Sequence, residues 1–124
     1  MHRYEILATR RFEDDLDTAL SWRLREVGRS SAARLYSTYL SKLDTLETFP
    51  LLGGRVEGSE YRCTAIGGYI AVYSVDEAAR VVTLMRLFHM SADWRARLLA
   101  DEIEDRPNLQ SELPARTGFG TAPE

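Results

Sequence analysis

A chain of 124 residues, 44% hydrophobic and 10% aromatic, carries apolar material for a single compact domain. Its net charge is −3 and fifteen of its sixteen basic residues are arginine, Lys42 being the one lysine. That balance excludes the broad basic face of a non-specific nucleic-acid binder and suits guanidinium groups that grip carboxylates or a protein surface. One cysteine, Cys63, excludes an internal disulfide, and with only His2 and His89 there is no cluster of metal ligands, so neither a metal nor another cofactor is expected.

Residues His2 to Ala8 alternate loosely, with Tyr4, Ile6 and Ala8 on one side and Arg3, Glu5 and Leu7 on the other, which predicts a first strand. The charges of this N-terminal stretch exclude a signal peptide, and no apolar run approaches membrane-spanning length. The expected location is cytoplasmic, with no membrane contact. Thr9 then caps a helix whose start carries Glu13, Asp14 and Asp15 near its positive end. Phe12, Leu16, Ala19, Leu20 and Val27 form its apolar stripe, and Gly28 stops it. Trp22 falls about a third of a turn off the stripe, where it either covers the rim of the core or anchors a partner.

Ser30 or Ser31 caps a second helix that runs to about Thr48 and is ended by Pro50. Its stripe reads Ala32, Tyr36, Tyr39, Leu40, Leu43 and Leu46, with the tyrosine hydroxyls at the edge of the core. The short connection makes the two helices an antiparallel hairpin laid on a sheet. Leu51 to Ser59 is a glycine-rich loop.

Glu60 to His89 holds three runs rich in Tyr, Ile, Val and Thr, Tyr61 to Ile66, Tyr69 to Val75 and Val81 to Phe88, which predict an antiparallel meander. Gly67-Gly68 is a tight-hairpin signal and Asp76 to Arg80 a longer polar connection. Within this meander Arg62, Arg86 and His89 stand out. A guanidinium stays charged and must reach water, a carboxylate or a partner, so the two arginines either snorkel or pair, or they form a cationic site with His89. A strict two-residue first loop puts Arg62 opposite Tyr73. Taking Asp76 to Arg80 as the whole second loop puts Val75 opposite Val81 and Ile70 opposite Arg86. The arginines then lie on opposite sheet faces unless one extra residue, as a bulge or a three-residue loop, intervenes.

Ser91 caps a third helix to about Glu104, with Trp94, Leu98, Leu99 and Ile103 on its apolar side, and Pro107 ends it. Trp94 joins Trp22 as a candidate partner contact. Residues 101 to 124 carry a charge of −4 and the first hundred +1. The domain is therefore expected over residues 1–105, followed by an acidic tail, 106–124, that is mobile or ordered by a partner.

These pieces in this order resemble the RelE/ParE toxin superfamily of bacterial toxin–antitoxin modules over roughly residues 4 to 99. The resemblance rests on Thr9 with Phe12 and Asp15-Leu16, Leu46 with Pro50, Tyr61-Arg62, Gly68-Tyr69 with Val72-Tyr73, and Arg86-Leu87-Phe88-His89. It implies an α+β fold in the order β-α-α-β-β-β-α, an antiparallel sheet packed by the helix hairpin, and a cognate antitoxin wrapped around the toxin. One branch looks like ribosome-dependent messenger RNA endonucleases, which need cations and a proton-transfer group at the scissile phosphate. That branch's usual arginine after the Gly-Tyr of the middle strand would fall on Ile70, and its second near Met90. Tyr61-Arg62-Cys63 and Arg86 to His89 resemble instead the ParE branch, which poisons DNA gyrase without a known hydrolytic site. The resemblance therefore implies a gyrase inhibitor that binds through Arg62, Arg86 and His89. The alternatives are a ribonuclease acting on ribosome and messenger RNA through the same three residues, and an inactive or purely structural member; a separate reading of the acidic tail is that it covers the cationic face of its own domain.

Overall fold

Thr9 is the point where strand becomes helix: its backbone is extended, and its Oγ1 accepts from Phe12 N at 3.1 Å and donates to Met85 O at 2.9 Å. The same side chain thus caps a helix and holds that helix to a strand 76 residues away. The computed structural model describes residues 3–91, 93–104 and 112–114. In chain order it contains β1 (Glu5–Thr9), α1 (Arg10–Glu26), α2 (Arg29–Thr48), β2 (Gly54–Arg55), β3 (Arg62–Ile66), β4 (Tyr69–Asp76), β5 (Val81–His89), α3 (Trp94–Glu104) and β6 (Glu112–Pro114).

The strands form one sheet in the order β2-β3-β4-β5-β1-β6. The expected antiparallel meander is present, but the sheet is mixed, because β1 lies parallel to β5. The cause is where the helix hairpin delivers the chain. Tyr4 N donates to Glu47 O at 2.9 Å, so α2 ends beside the start of β1. The meander therefore begins at the end of the sheet where β1 begins, and its third strand runs in the same sense as β1.

Gly67-Gly68 makes the two-residue turn, with Ile66 opposite Tyr69 and Arg62 opposite Tyr73 as the count requires. Gly67 carries the positive φ, 59°, which fits a hairpin turn with glycine at its first position. The second connection is one residue shorter than the sequence count assumed. Asp76 pairs with Val81, its Oδ1 accepts from Ala79 N at 3.0 Å, and Arg80 takes a left-handed φ of 60°. A bulge then follows, with Met85 the extra residue between the pairs Val72↔Arg86 and Tyr73↔Leu84.

Both sheet faces are covered. On one, Phe12, Leu16, Leu20, Leu35, Tyr39 and Leu43 of the hairpin pack on strand residues that include Ile6, Ile66, Tyr73 and Leu84. On the other, Val56, Tyr61, Val72 and Phe88 pack under Trp94 and Leu98 of α3. The α2 stripe is Ser31, Leu35, Tyr39, Leu43 and Leu46, so Leu35 takes the central place that the pattern gave to Ala32 and Tyr36. Val27 and Leu99, expected on buried stripes, are exposed. Gly28, with φ 137°, is the N-cap of α2 in place of Ser30 or Ser31, which both lie inside that helix.

Part of the stretch expected as a tail, Glu112–Pro114, is a strand of the sheet. Glu112–Pro114 pairs antiparallel with β1, with Ala8 opposite Leu113. The pairing covers the edge that β1 would otherwise present, and Pro114 is tolerated because β6 is itself an edge strand. Residues 106–111 and 115–124 lie outside the described residues, as does His2. No helix among the described residues is long and apolar enough to cross a membrane.

Two measurements follow from this packing. Phe12 is fully buried, with its ring 6.0 Å from that of Tyr39, so Phe12→Ala should lower unfolding stability by about 3–5 kcal/mol. Leu99→Ala at an exposed position should change it by less than about 0.5 kcal/mol in the same denaturant titration. Glu13 is 9% exposed, and its Oε2 is buried without a hydrogen-bond partner among the described residues. Burial, aided by the charges of Asp14 and Asp17, pushes its pKa from 4.5 up to about 7. Between those values folded Glu13 holds a proton that it has released in the unfolded chain, so its contribution to stability falls as pH rises from 4.5 to about 7 and is level outside that window. Glu13→Gln should remove this slope and raise stability above pH 7 by up to roughly 3 kcal/mol, read as melting temperature across a pH series.

Candidate functional site

Arg62 opens β3 on the helix-hairpin side, opposite Tyr73. Its Nη1 donates to Gly53 O at 2.7 Å and more weakly to Leu51 O at 3.4 Å. The same loop is held from below by Tyr73, whose buried hydroxyl accepts from Gly53 N at 2.8 Å. Burial raises the Tyr73 pKa, so the hydroxyl stays protonated. Gly53 is required by contact: a Cβ there would lie 2.2 Å from Cys63 O. Arg62 is thus a brace for the turn after α2.

Arg86 is 8% exposed and makes a bidentate pair with Asp15, Nε to Oδ2 at 2.7 Å and Nη2 to Oδ1 at 3.1 Å. Asp15 Oδ2 also accepts from Leu87 N at 2.9 Å, and the guanidinium lies 4.7 Å from the Phe88 ring centroid. A desolvated pair of this kind is held by its geometry, and loss of either partner strands a buried charge. Its role is to tie α1 to β5.

His89 ends β5 in an exposed position opposite Tyr69, whose ring it meets edge-on at 5.3 Å. Its Nδ1 faces Ser91 N at 3.1 Å and Ser91 Oγ at 2.6 Å. The amide can only donate, so Nδ1 is the acceptor nitrogen and the ring's N–H sits on Nε2. Arg23 of α1 lies over Tyr69 at 5.7 Å and donates to Ser31 Oγ at 3.1 Å.

The structure does not bring Arg62, Arg86 and His89 together. The shortened second loop and the bulge are each a one-residue change that swaps faces, and together they cancel. Arg62 opposite Tyr73 and Arg86 opposite Val72 therefore stay on opposite sides, as the uncorrected count had them. His89, opposite Tyr69, is four residues along β4 from the Arg62 position, about 13 Å at 3.3 Å per residue. Trp22 is 48% exposed. Trp94 is 6% exposed and stacked on Phe88 at 6.4 Å, with the Arg95 guanidinium 4.4 Å from its ring centroid, and it belongs to the second core.

Sequence reasoning missed Asp15 as the partner of Arg86 and the part played by Gly53 in the Arg62 brace. The run Phe49-Pro50-Leu51-Leu52-Gly53-Gly54, apolar yet outside both helical and strand periodicity, was the available signal for the second. Cys63 is half-buried with its pKa raised by burial against the opposing effect of Arg95, which does not suit a nucleophile. No group of three or more His, Cys, Asp or Glu side chains among the described residues is placed to hold a metal. Asp15→Ala should cost about 3–5 kcal/mol in chemical unfolding, and Asp15→Ala with Arg86→Met should recover a large part of that loss, since the double change leaves no buried charge.

The family described as ParE toxin of type II toxin-antitoxin system, parDE, matches residues 6–94. The fold is similar to a chain of the chromosomal ParDE system from P. aeruginosa, with a TM-score of 0.61 and 17% identity over 73% of this chain and 100% of that one. It is similar also to a chain of the archaeal RelE-RelB complex from Pyrococcus horikoshii OT3, at 0.55 and 18% over 72% and 97%. A chain of the RelBE2 toxin-antitoxin complex from Mycobacterium tuberculosis gives 0.53 and 20% over 70% and 98%. No curated protein matched in sequence. With the family match spanning β1 through the start of α3, the chain belongs to the ParE toxin family of type II toxin–antitoxin systems.

Proposed function

We propose that this toxin acts by binding, with DNA gyrase as its target and a cognate antitoxin as its stable partner. The observation that carries the reading is the dispersal of Arg62, Arg86 and His89, with both arginines bonded inside their own chain. Cleavage of a phosphodiester needs cations and a proton-transfer group around one phosphate, held in reacting geometry. Here Arg62 holds a turn, Arg86 ties α1 to β5, and His89 is the most exposed of the three. Ile70, at the position where the endonuclease branch has an arginine, packs against the apolar cluster under α3. The antitoxin's place is the outer side of the helix hairpin, where Trp22 with Leu24 and Val27 offers exposed apolar anchors for an amphipathic segment.

The test is supercoiling by purified gyrase with the full chain added, run beside a translating extract probed for cut transcripts. Inhibited supercoiling with intact messenger RNA is expected. Transcripts cut by the parent chain but not by His89→Ala would replace this reading with the ribonuclease one. In the gyrase assay His89→Ala should weaken inhibition by no more than about tenfold, the loss of one contact.

A further inference from the structure

Phe49, Leu51 and Leu52 are 63%, 46% and 51% exposed, three large apolar side chains in four consecutive positions around a buried Pro50. Isolated exposed leucines need no account, whereas a contiguous apolar cluster on a rigid support marks an interaction site. The support is unusually complete. Phe49 N donates to Thr45 O at 2.8 Å and Leu52 N to Phe49 O at 3.1 Å, which closes the turn. Arg62 and Tyr73 hold its far end through Gly53, whose backbone is pressed against Cys63 O. Four hydrogen bonds thus keep apolar side chains pointed at water, an arrangement that folding alone does not reward.

Beside the turn lies an open cleft of about 570 Å³, lined by Leu51, Arg55, Arg62, Glu60, Asp76 and Glu77 among others. Three carboxylates face two guanidiniums there, and one of those, Arg62, is already bonded to Gly53 O. The cleft is therefore biased towards negative charge. Its one net negative charge suits a polypeptide that brings basic side chains beside apolar ones. The site is also separate from Trp22, Leu24 and Val27, which lie at the other end of the hairpin. The twenty residues of α2 put about 30 Å between the two ends.

We infer that the Phe49–Gly53 turn and the acidic cleft beside it form the docking surface for the toxin's target, a protein segment with apolar residues flanked by Lys or Arg. The inference rests on the toxin reading above but not on gyrase being the target. Pre-organisation by Arg62 and Tyr73 means that little ordering is left to do on binding, and apolar anchors set in a charged rim carry most of the affinity.

The test is the full chain carrying Phe49→Ser and Leu52→Ser together, with Glu77→Lys as an independent charge variant. Both changed apolar side chains are exposed, so the melting temperature and the affinity for the cognate antitoxin should stay close to those of the parent. The induction level needed to arrest growth without antitoxin should rise at least about tenfold for the double variant. Glu77→Lys should raise it about threefold. Growth arrest at the parent's induction level in the folded double variant would overturn the inference. So would a parent chain that arrests no growth, which would remove the toxin reading as well. Arrest that depends on Phe49 and Leu52 while gyrase is untouched would support the docking surface and remove only gyrase. If the double variant lost affinity for a short labelled RNA in step with its toxicity, the surface would be a nucleic-acid site and the inference would fail.

Discussion

The ion pair between Asp15 and Arg86 fixes the relation between the first helix and the sheet, and most of the architecture depends on it. β1 runs beside β5 only as far as Ala8 opposite Leu84. Beyond that point β5 would present unpaired backbone groups along a buried seam. The helix that continues from β1 supplies the missing partners from its side chains, Thr9 Oγ1 to Met85 O and Asp15 Oδ2 from Leu87 N. Arg86 then neutralises the carboxylate that performs this service. The bulge at Met85 falls in the same place, where the partner of β5 changes from a strand to a helix.

From that seam comes the two-sided construction. With α1 fixed along β5, the hairpin covers one face through Phe12, Leu16 and Tyr39, and among the described residues α3 with Val56 and Tyr61 packs on the other. The second core is small, and aromatic and cationic side chains close it: Arg86 and Arg97 lie over Phe88, and Arg95 over Trp94. Arginine suits this work because a planar, weakly hydrated cation can lie on a ring and still satisfy its N–H groups at the edge. The near absence of lysine is therefore a property of how the domain is built as well as of what it binds.

The parts of this legible in the sequence were those set by local periodicity. The meander, its tight Gly67-Gly68 turn, the Thr9 cap and the Phe12, Leu16 and Leu20 stripe all follow from neighbours a few residues apart. The choice of Leu35 over Tyr36 did not, because adjacent apolar positions on a helix differ by 100° and the packing of α2 decides which turns inward. The parallel β1 depends on where a long hairpin delivers the chain. The bulge and the shortened second loop each reverse the face of everything that follows, so a count that missed both returned the right faces for Arg62 and Arg86 by cancellation. Asp15 read as a helix-dipole acid because its true partner lies 71 residues away. β6 was hidden in a stretch without any pattern of its own.

The same distinction bears on how function is read from charge. In a chain this rich in arginine, candidate sites suggest themselves wherever a cation interrupts an apolar strand, and Arg62 and Arg86 were singled out on that basis. The structure gives each an intrachain task, holding a turn or a seam, and large apolar side chains stand exposed at both ends of the hairpin, Trp22 on one and Phe49, Leu51 and Leu52 on the other. A buried carboxylate–guanidinium pair contributes little net stability compared with a well-packed apolar substitute, so its use here is positional. Arg86 sets where the first helix stands and Arg62 where the turn after α2 stands, and the exposed apolar side chains are carried on those two elements.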